Sequence, residues 1–216
     1  MGWFSRKLKG RQREEALALV HHLQGILAYQ QLAMEIYNDA FTTVVGEHPP
    51  LGAEVWDRQL GVFNSPELVS KHIIPALEKK IEIIKLMKTK HEQANSLATK
   101  KLQRPYQEMT SAIREMLDRA QFQLDGFTKW VRGEQKFADL TQPDELEQLA
   151  IDRTLIALND LIYDRIGLTF DEWIAICREA INSVRTSRGL APLDSEVYRS
   201  QYIRGLQGER VRFFND

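Results

Sequence analysis

Apolar residues recur along most of this chain at three-then-four spacing, whereas alternating Val/Ile/Thr runs bounded by turn signals are nearly absent. That period predicts an all-α fold. Between about Arg11 and Val45, the residues Val20, Leu23, Leu27, Met34, Tyr37, Phe41 and Val44 keep to it, with Gln30 as a polar intruder. A helix of that length measures roughly 50 Å at 1.5 Å per residue. The breaker run Gly46-Glu47-His48-Pro49-Pro50-Leu51-Gly52 follows, and a short helix from Ala53 to Phe63 is expected to bury Val55, Trp56 and Leu60.

A second long helix is expected to start at Ser65, a capping residue, with Pro66 in its first turn, where a missing N–H costs nothing. Its stripe runs through Leu77, Ile81, Ile84, His91 and Ala98 toward Leu102. Pro75 should kink or interrupt it, and a break is expected at Arg104, whose place before Pro105 biases it out of helix. A third long stripe then takes in Tyr106, Met109, Ile113, Met116, Ala120, Leu124, Phe127 and Val131.

Three shorter helices complete the pattern. Pro143 to Ile166 carries Leu146, Leu149, Leu155, Leu158 and Ile162 and closes at Gly167. Thr169 and Glu172 form a capping box before Trp173, Ile176, Cys177, Ala180 and Val184, in a helix that stops at Gly189. The last helix spans about Asp194 to Leu206, ahead of an RVRFFND tail. Helices of roughly 28 to 40 residues far exceed the usual ~10 to 14 and must pack side by side. The expected architecture is an antiparallel bundle of three long helices, with the three shorter C-terminal helices on one end or flank. In domain terms, the chain reads as a basic N-terminal segment (1–13), the long-helix bundle (14–132), a linker (133–142), and a C-terminal helical part with its tail (143–216), expected to be continuous as one domain.

Composition removes several classes of function. Of 216 residues, 43% are hydrophobic and 27% charged, so the chain is neither low-hydrophobicity disordered nor membrane-spanning. Its 29 basic and 30 acidic residues nearly cancel, so no global basic field announces nucleic acid. The single cysteine, Cys177, allows no disulfide within the chain and points to a cytoplasmic setting. The first thirteen residues hold five basic side chains and no acid, but no apolar run of secretory length follows them. Gly2 lacks the Ser or Thr that a myristoylation motif wants at position 6, where Arg6 stands.

Candidate chemistry is sparse. None of the five histidines follows a Glu at the spacing of di-iron bundles, and His91-Glu92 does not complete a zinc-protease helix motif. His21 and His22 read as ordinary helix-face residues. Asp160 and Asp164 stand one turn apart, with no second acidic cluster evident to complete a Mg²⁺ site, so a solvated face is expected, as for Glu78 and Glu82. Cys177 falls on an apolar stripe, where a thiol packs rather than reacts. Phosphate-cradling glycine loops are absent. No catalytic residue, cofactor, metal or small-molecule ligand is therefore assigned; the reading leans toward a non-enzyme and leaves an activity in a cleft between helices open.

Charge patterning is more informative. Residues 71–104 hold nine basic and three acidic side chains, and residues 139–172 two basic and nine acidic. Such polarity is expected to neutralise itself within the fold, to neutralise a neighbouring copy, or to offer the basic arm to an anion. That arm, Lys79, Lys80, Lys85, Lys88, Lys90, Lys100 and Lys101, has no interleaved aromatic, which argues against base reading. At the ends, Trp3 and Phe4 sit among cations, although Lys7 and Arg11 fall inside the helical arc that Trp3, Phe4 and Leu8 span. Phe213 and Phe214 follow Arg210 and Arg212 and should dock on this chain or another. The leading expectation is a helical-bundle interaction or scaffold protein whose partner is protein, self or other. The alternatives are an accessory protein touching nucleic-acid backbones through the Lys arm, and a peripheral attachment to a membrane surface through the N-terminal segment.

Overall fold

The computed structural model describes residues 7–45, 65–136 and 145–214. The short helix expected over 53–63, Trp3, Phe4 and most of the 133–142 linker lie outside the described residues.

Among the described residues the fold is helical and contains no strand. Helix α1 is Arg11–Val45, with the bounds that the apolar period predicts. Helix α2 is continuous through three parts, Pro66–Leu68, a π turn Val69–Ile73 and Ile74–Gln93, and the Ser65 hydroxyl accepts from the Leu68 N–H. Pro75 thus does not interrupt it. The wide π turn lies where the proline ring would otherwise crowd the Lys71 carbonyl, and it absorbs the missing hydrogen bond.

Helix α2 ends at Gln93 and not near Leu102. A short 3₁₀ turn, Asn95–Leu97, forms the corner, and α3 spans Gln103–Val131. The break therefore falls before Arg104, and Pro105 sits in the first turn of α3, where its absent N–H would have had no partner. Helix α4 is Glu145–Asn159 extended by a π segment, Asp160–Ile166, and Gly167 closes it in the left-handed region at φ 73°. Helix α5 is Phe170–Ser187 and α6 is Ser195–Leu206. Both halves of the Thr169–Glu172 capping box form.

The helices pack in sequence order: α1 on α2, α2 on α3, α3 on α4, and the π segment of α4 back on α1. Helix α4 is thus a full wall of the bundle. One end gathers the start of α1, the α2–α3 corner and the end of α4. There the Leu8 N–H donates to the Arg165 carbonyl, Arg165 donates to the Lys101 carbonyl, and Lys101 donates to Gln12. Helix α5 lies along α1, and α6 folds back on α5.

The main core joins Leu19, Leu23, Ile26, Ile84, Met87, Met109, Ile113 and Leu158, and a second cluster around Val69, Ile73, Leu77 and Phe127 fills the other end. Each such side chain contributes roughly 1.5–3 kcal/mol on burial. Three apolar expectations are overturned in α4. Leu146, Leu149 and Leu155 are exposed, while Ala150, Thr154, Ala157, Leu158 and Leu161 line the buried face. Met34 of α1 is exposed as well, since Leu32 and Ala33 take the inward positions.

Candidate functional site

The outer face of α4 is the largest departure from a finished bundle. On the predicted period, α4 carries apolar side chains on opposite sides. At 100° per residue, Leu146, Leu149, Ile156 and Tyr163 fall within an arc of about 100°, roughly opposite the buried stripe. Leu146 is 70% exposed, Ile156 55% and Tyr163 49%. Arg153 and Asp160 cross this ridge, and Asp152, which accepts from Gln148, borders it. Asp160 also faces Arg104 of α3 at 3.7 Å. Monomeric bundles rarely leave such a ridge in water without a use.

The Lys arm of α2 is less free than its sequence suggests. Lys80 is only 6% exposed, with its ammonium 5.3 Å from the centre of the Tyr37 ring, so it belongs to the α1–α2 contact and not to an open arm. Lys90 lies similarly over Tyr29. Lys79 pairs with Glu82 at 2.6 Å and Lys88 approaches Glu92 at 3.9 Å. Lys85 and Lys100 are exposed. Lys101 belongs to a different feature, an open recess of about 830 Å³ at the end of the bundle, shared with Lys7, Lys9 and Arg11. Lys7 there reaches over Gly167, beside the negative end of α4.

Phe213 and Phe214 dock on their own chain. Phe214 is buried, and the Phe213 ring lies 5.3 Å from that of Tyr198. Glu35 of α1, itself 5% exposed, accepts from the backbone N–H groups of both phenylalanines at 2.9 and 3.0 Å. Nothing in the local pattern of α1 singles out Glu35, because its partners lie at the far end of the sequence.

The interior holds one further polar cluster that the sequence does not reveal. His22 of α1 and His91 of α2 meet, with Nε2 of the first 3.0 Å from Nδ1 of the second. Nε2 of His91 contacts the Tyr106 carbonyl at 3.1 Å and the Thr110 hydroxyl at 3.0 Å. A carbonyl only accepts, so Nε2 of His91 carries the proton. Its Nδ1 then accepts from Nε2 of His22. The Tyr106 hydroxyl donates to the His91 carbonyl at 2.6 Å, which also accepts from the Ala94 N–H in the last turn of α2. Burial lowers His22 to about 4, helped by His91 and Lys90, and burial also lowers His91. The pair is therefore neutral near pH 7. With three of its four ring nitrogens engaged, it fastens helices together and has little to offer a metal.

Outside it lies a cleft of about 210 Å³, edged by Lys88, Glu92, Arg114 and Asp118 in alternating sign. Among the described residues, no three His, Cys, Asp or Glu side chains converge as metal ligands. Cys177 is buried, and desolvation pushes its thiol up to about 12, which suits packing and not nucleophilic chemistry. None of the helices is long and apolar enough to cross a membrane, among the described residues. Comparison with protein-family models, with curated proteins and with solved structures returns no match.

Proposed function

We propose that this chain is a non-enzymatic scaffold that assembles with further copies of itself. The ridge of α4 is the docking face, and the Lys-rich outer side of α2 on the next copy is what it meets. The observation behind this reading is the two-sided α4: one face completes the bundle, and the other leaves Leu146, Leu149, Ile156 and Tyr163 in water. Charge selects the occupant. The segment 139–172 is strongly acidic and 71–104 strongly basic, and Arg104 with Asp160 forms an exposed ion pair between them. Within one copy α4 packs on α3, while α2 lies across the bundle, so much of the opposite charge on each helix faces outward. A contact of α4 on α2 is heterologous and builds rings or open arrays. A cytoplasmic location goes with this proposal, on the single free thiol.

The test is molar mass by light scattering at low and high salt, up to about 100 µM protein. The expected result is a mass above 25.0 kDa at low salt that falls as salt rises. Ile156→Glu should leave helicity unchanged and abolish the salt-dependent part of the assembly. Wild-type chains whose mass across that range does not rise at low salt overturn the reading.

A second reading rests on the recess of Lys7, Lys9, Arg11 and Lys101, in which four cations could contact successive phosphates of a nucleic acid without reading bases. Retardation of DNA or RNA that weakens log-linearly with salt supports it, and none at low salt removes it. Membrane attachment through Trp3 and Phe4 concerns residues outside those described and gains no structural argument.

A further inference from the structure

The C-terminal tail is held as a ligand is held. Four groups of the body grip it, two of them, Glu35 and Arg185, by its backbone and two, Asp39 and Thr42, by its arginine side chains. Glu35 takes the N–H groups of Phe213 and Phe214 with one carboxylate, and Gln31 donates to the same carboxylate at 2.9 Å. Arg185 of α5 donates to the Phe213 carbonyl and to the Ala191 carbonyl. Asp39 of α1 pairs with Arg212 at 2.7 Å and lies 3.4 Å from Arg210, which also donates to Thr42. Phe214 fills an apolar seat and Phe213 lies against Tyr198. Glu35 and Arg185, both nearly fully buried, thus read one peptide unit from its two polar sides, as a groove for an extended segment does.

The connection to this ligand is loose. Every residue from Ile203 to Arg210 is exposed, and Gly208 turns the chain in the left-handed region at φ 85°. No buried side chain between Tyr202 and Val211 ties the tail to the copy it came from. A tail from a second copy would make the same hydrogen bonds and fill the same seat, which is the condition for exchanging a terminal element.

We infer that the groove between α1 and α5, built from Glu35, Asp39 and Arg185, is a peptide-binding site for a basic-x-basic-Phe-Phe segment, and that copies of this chain exchange their tails through it. The inference is independent of the α4 ridge, and the experiment separates the two. Full-length chains carrying Asp39→Cys are mixed with full-length chains carrying Arg212→Cys, and the mixture is treated with a short bis-maleimide. Cys177 is buried away from the reagent. The expected product links position 39 of one chain to position 212 of another. It should fall at least tenfold on adding excess free peptide with the sequence of residues 207–216, and equally when the second chain also carries Phe214→Ala, which leaves α1 untouched. Its yield should be unchanged by Ile156→Glu in both chains, since that substitution acts only on the α4 contact. The inference is overturned if a single chain bearing both substitutions cross-links within itself, while the mixture gives no two-chain product or one that the peptide does not reduce.

Discussion

Protonating His91 at Nδ1 removes the acceptor of the His22 Nε2–H and breaks a line of hydrogen bonds that runs from α1 through α2 to the Tyr106 carbonyl of α3, whereas protonating His22 at its unengaged Nδ1 keeps the line but places a charge in a half-buried site beside Lys90. His22 titrates at about 4 in the fold, against an ordinary 6.5, and burial is the main cause. The unfolded chain therefore takes up the proton first. The stability this represents is complete above about pH 7 and is lost as pH falls through 6.5 toward 4. Since the ring is only about half buried, solvent screening reduces the effect to the order of 1 kcal/mol. Urea unfolding at pH 7.5 and 4.5 should show that loss, and His22→Gln should flatten it; an equal slope in that variant assigns the effect to other groups. Tyr106→Phe removes one of the two hydrogen bonds that the His91 carbonyl accepts and should cost about 0.5–1 kcal/mol at either pH in the same measurement. Neither partner of these contacts is legible locally, because His22 and His91 are separated by 69 positions. Cys177 is the contrary case: its place on a stripe beside Ile176 is visible in the pattern, and both residues are buried.

Among the elements, α1 and α4 show what periodicity can and cannot decide. In α1 the stripe recurs over ten turns, so the bounds Arg11–Val45 emerge from the pattern alone, even though Met34 proves to face water. The α2–α3 corner is placed less well, since Pro105 draws attention to itself while the turn is made by Asn95–Leu97 upstream. In α4 leucines occur on both sides, and the period cannot say which side is the core. Small residues decide it: Ala150, Thr154 and Ala157 let α3 approach closely, and the bulkier Leu146 and Leu149 are left outside. Mutational free energies should follow the structure. Leu158→Ala, at a site 2% exposed, should cost about 2–5 kcal/mol through the cavity it leaves. Ile156→Glu, two positions earlier, should change monomer stability by no more than about 0.5 kcal/mol. Chemical denaturation of the two variants checks this, and a large loss at Ile156 would show that the ridge is covered within one chain.

For the whole molecule, the property on which the proposed assembly rests is the separation of opposite charges onto α2 and α4, each of which packs chiefly on α3 or α1. A single exposed ion pair contributes only about 0.2–1 kcal/mol, so an assembly held by one would fail at micromolar concentrations. Several pairs flanking an apolar ridge can suffice, because burial of the ridge supplies affinity while the charges fix partner and register. Complementarity then has a signature that general stickiness lacks. Lys85→Glu on the outer side of α2 places an acid opposite the acidic face of the next copy, and Asp152→Lys on α4 makes the converse mismatch. Each variant alone should weaken the assembly about fivefold or more, equivalent to roughly 1 kcal/mol. In a mixture of the two, a Glu-bearing α2 can face a Lys-bearing α4, so association should recover above that of either alone when measured by light scattering at low salt. High salt should level all four samples, since charges beyond about 10 Å are screened at 0.1 M. Unchanged association in both variants would place the contact on the ridge alone and detach the Lys arm from it. Loss without recovery in the mixture would show that α2 and α4 each meet something other than one another.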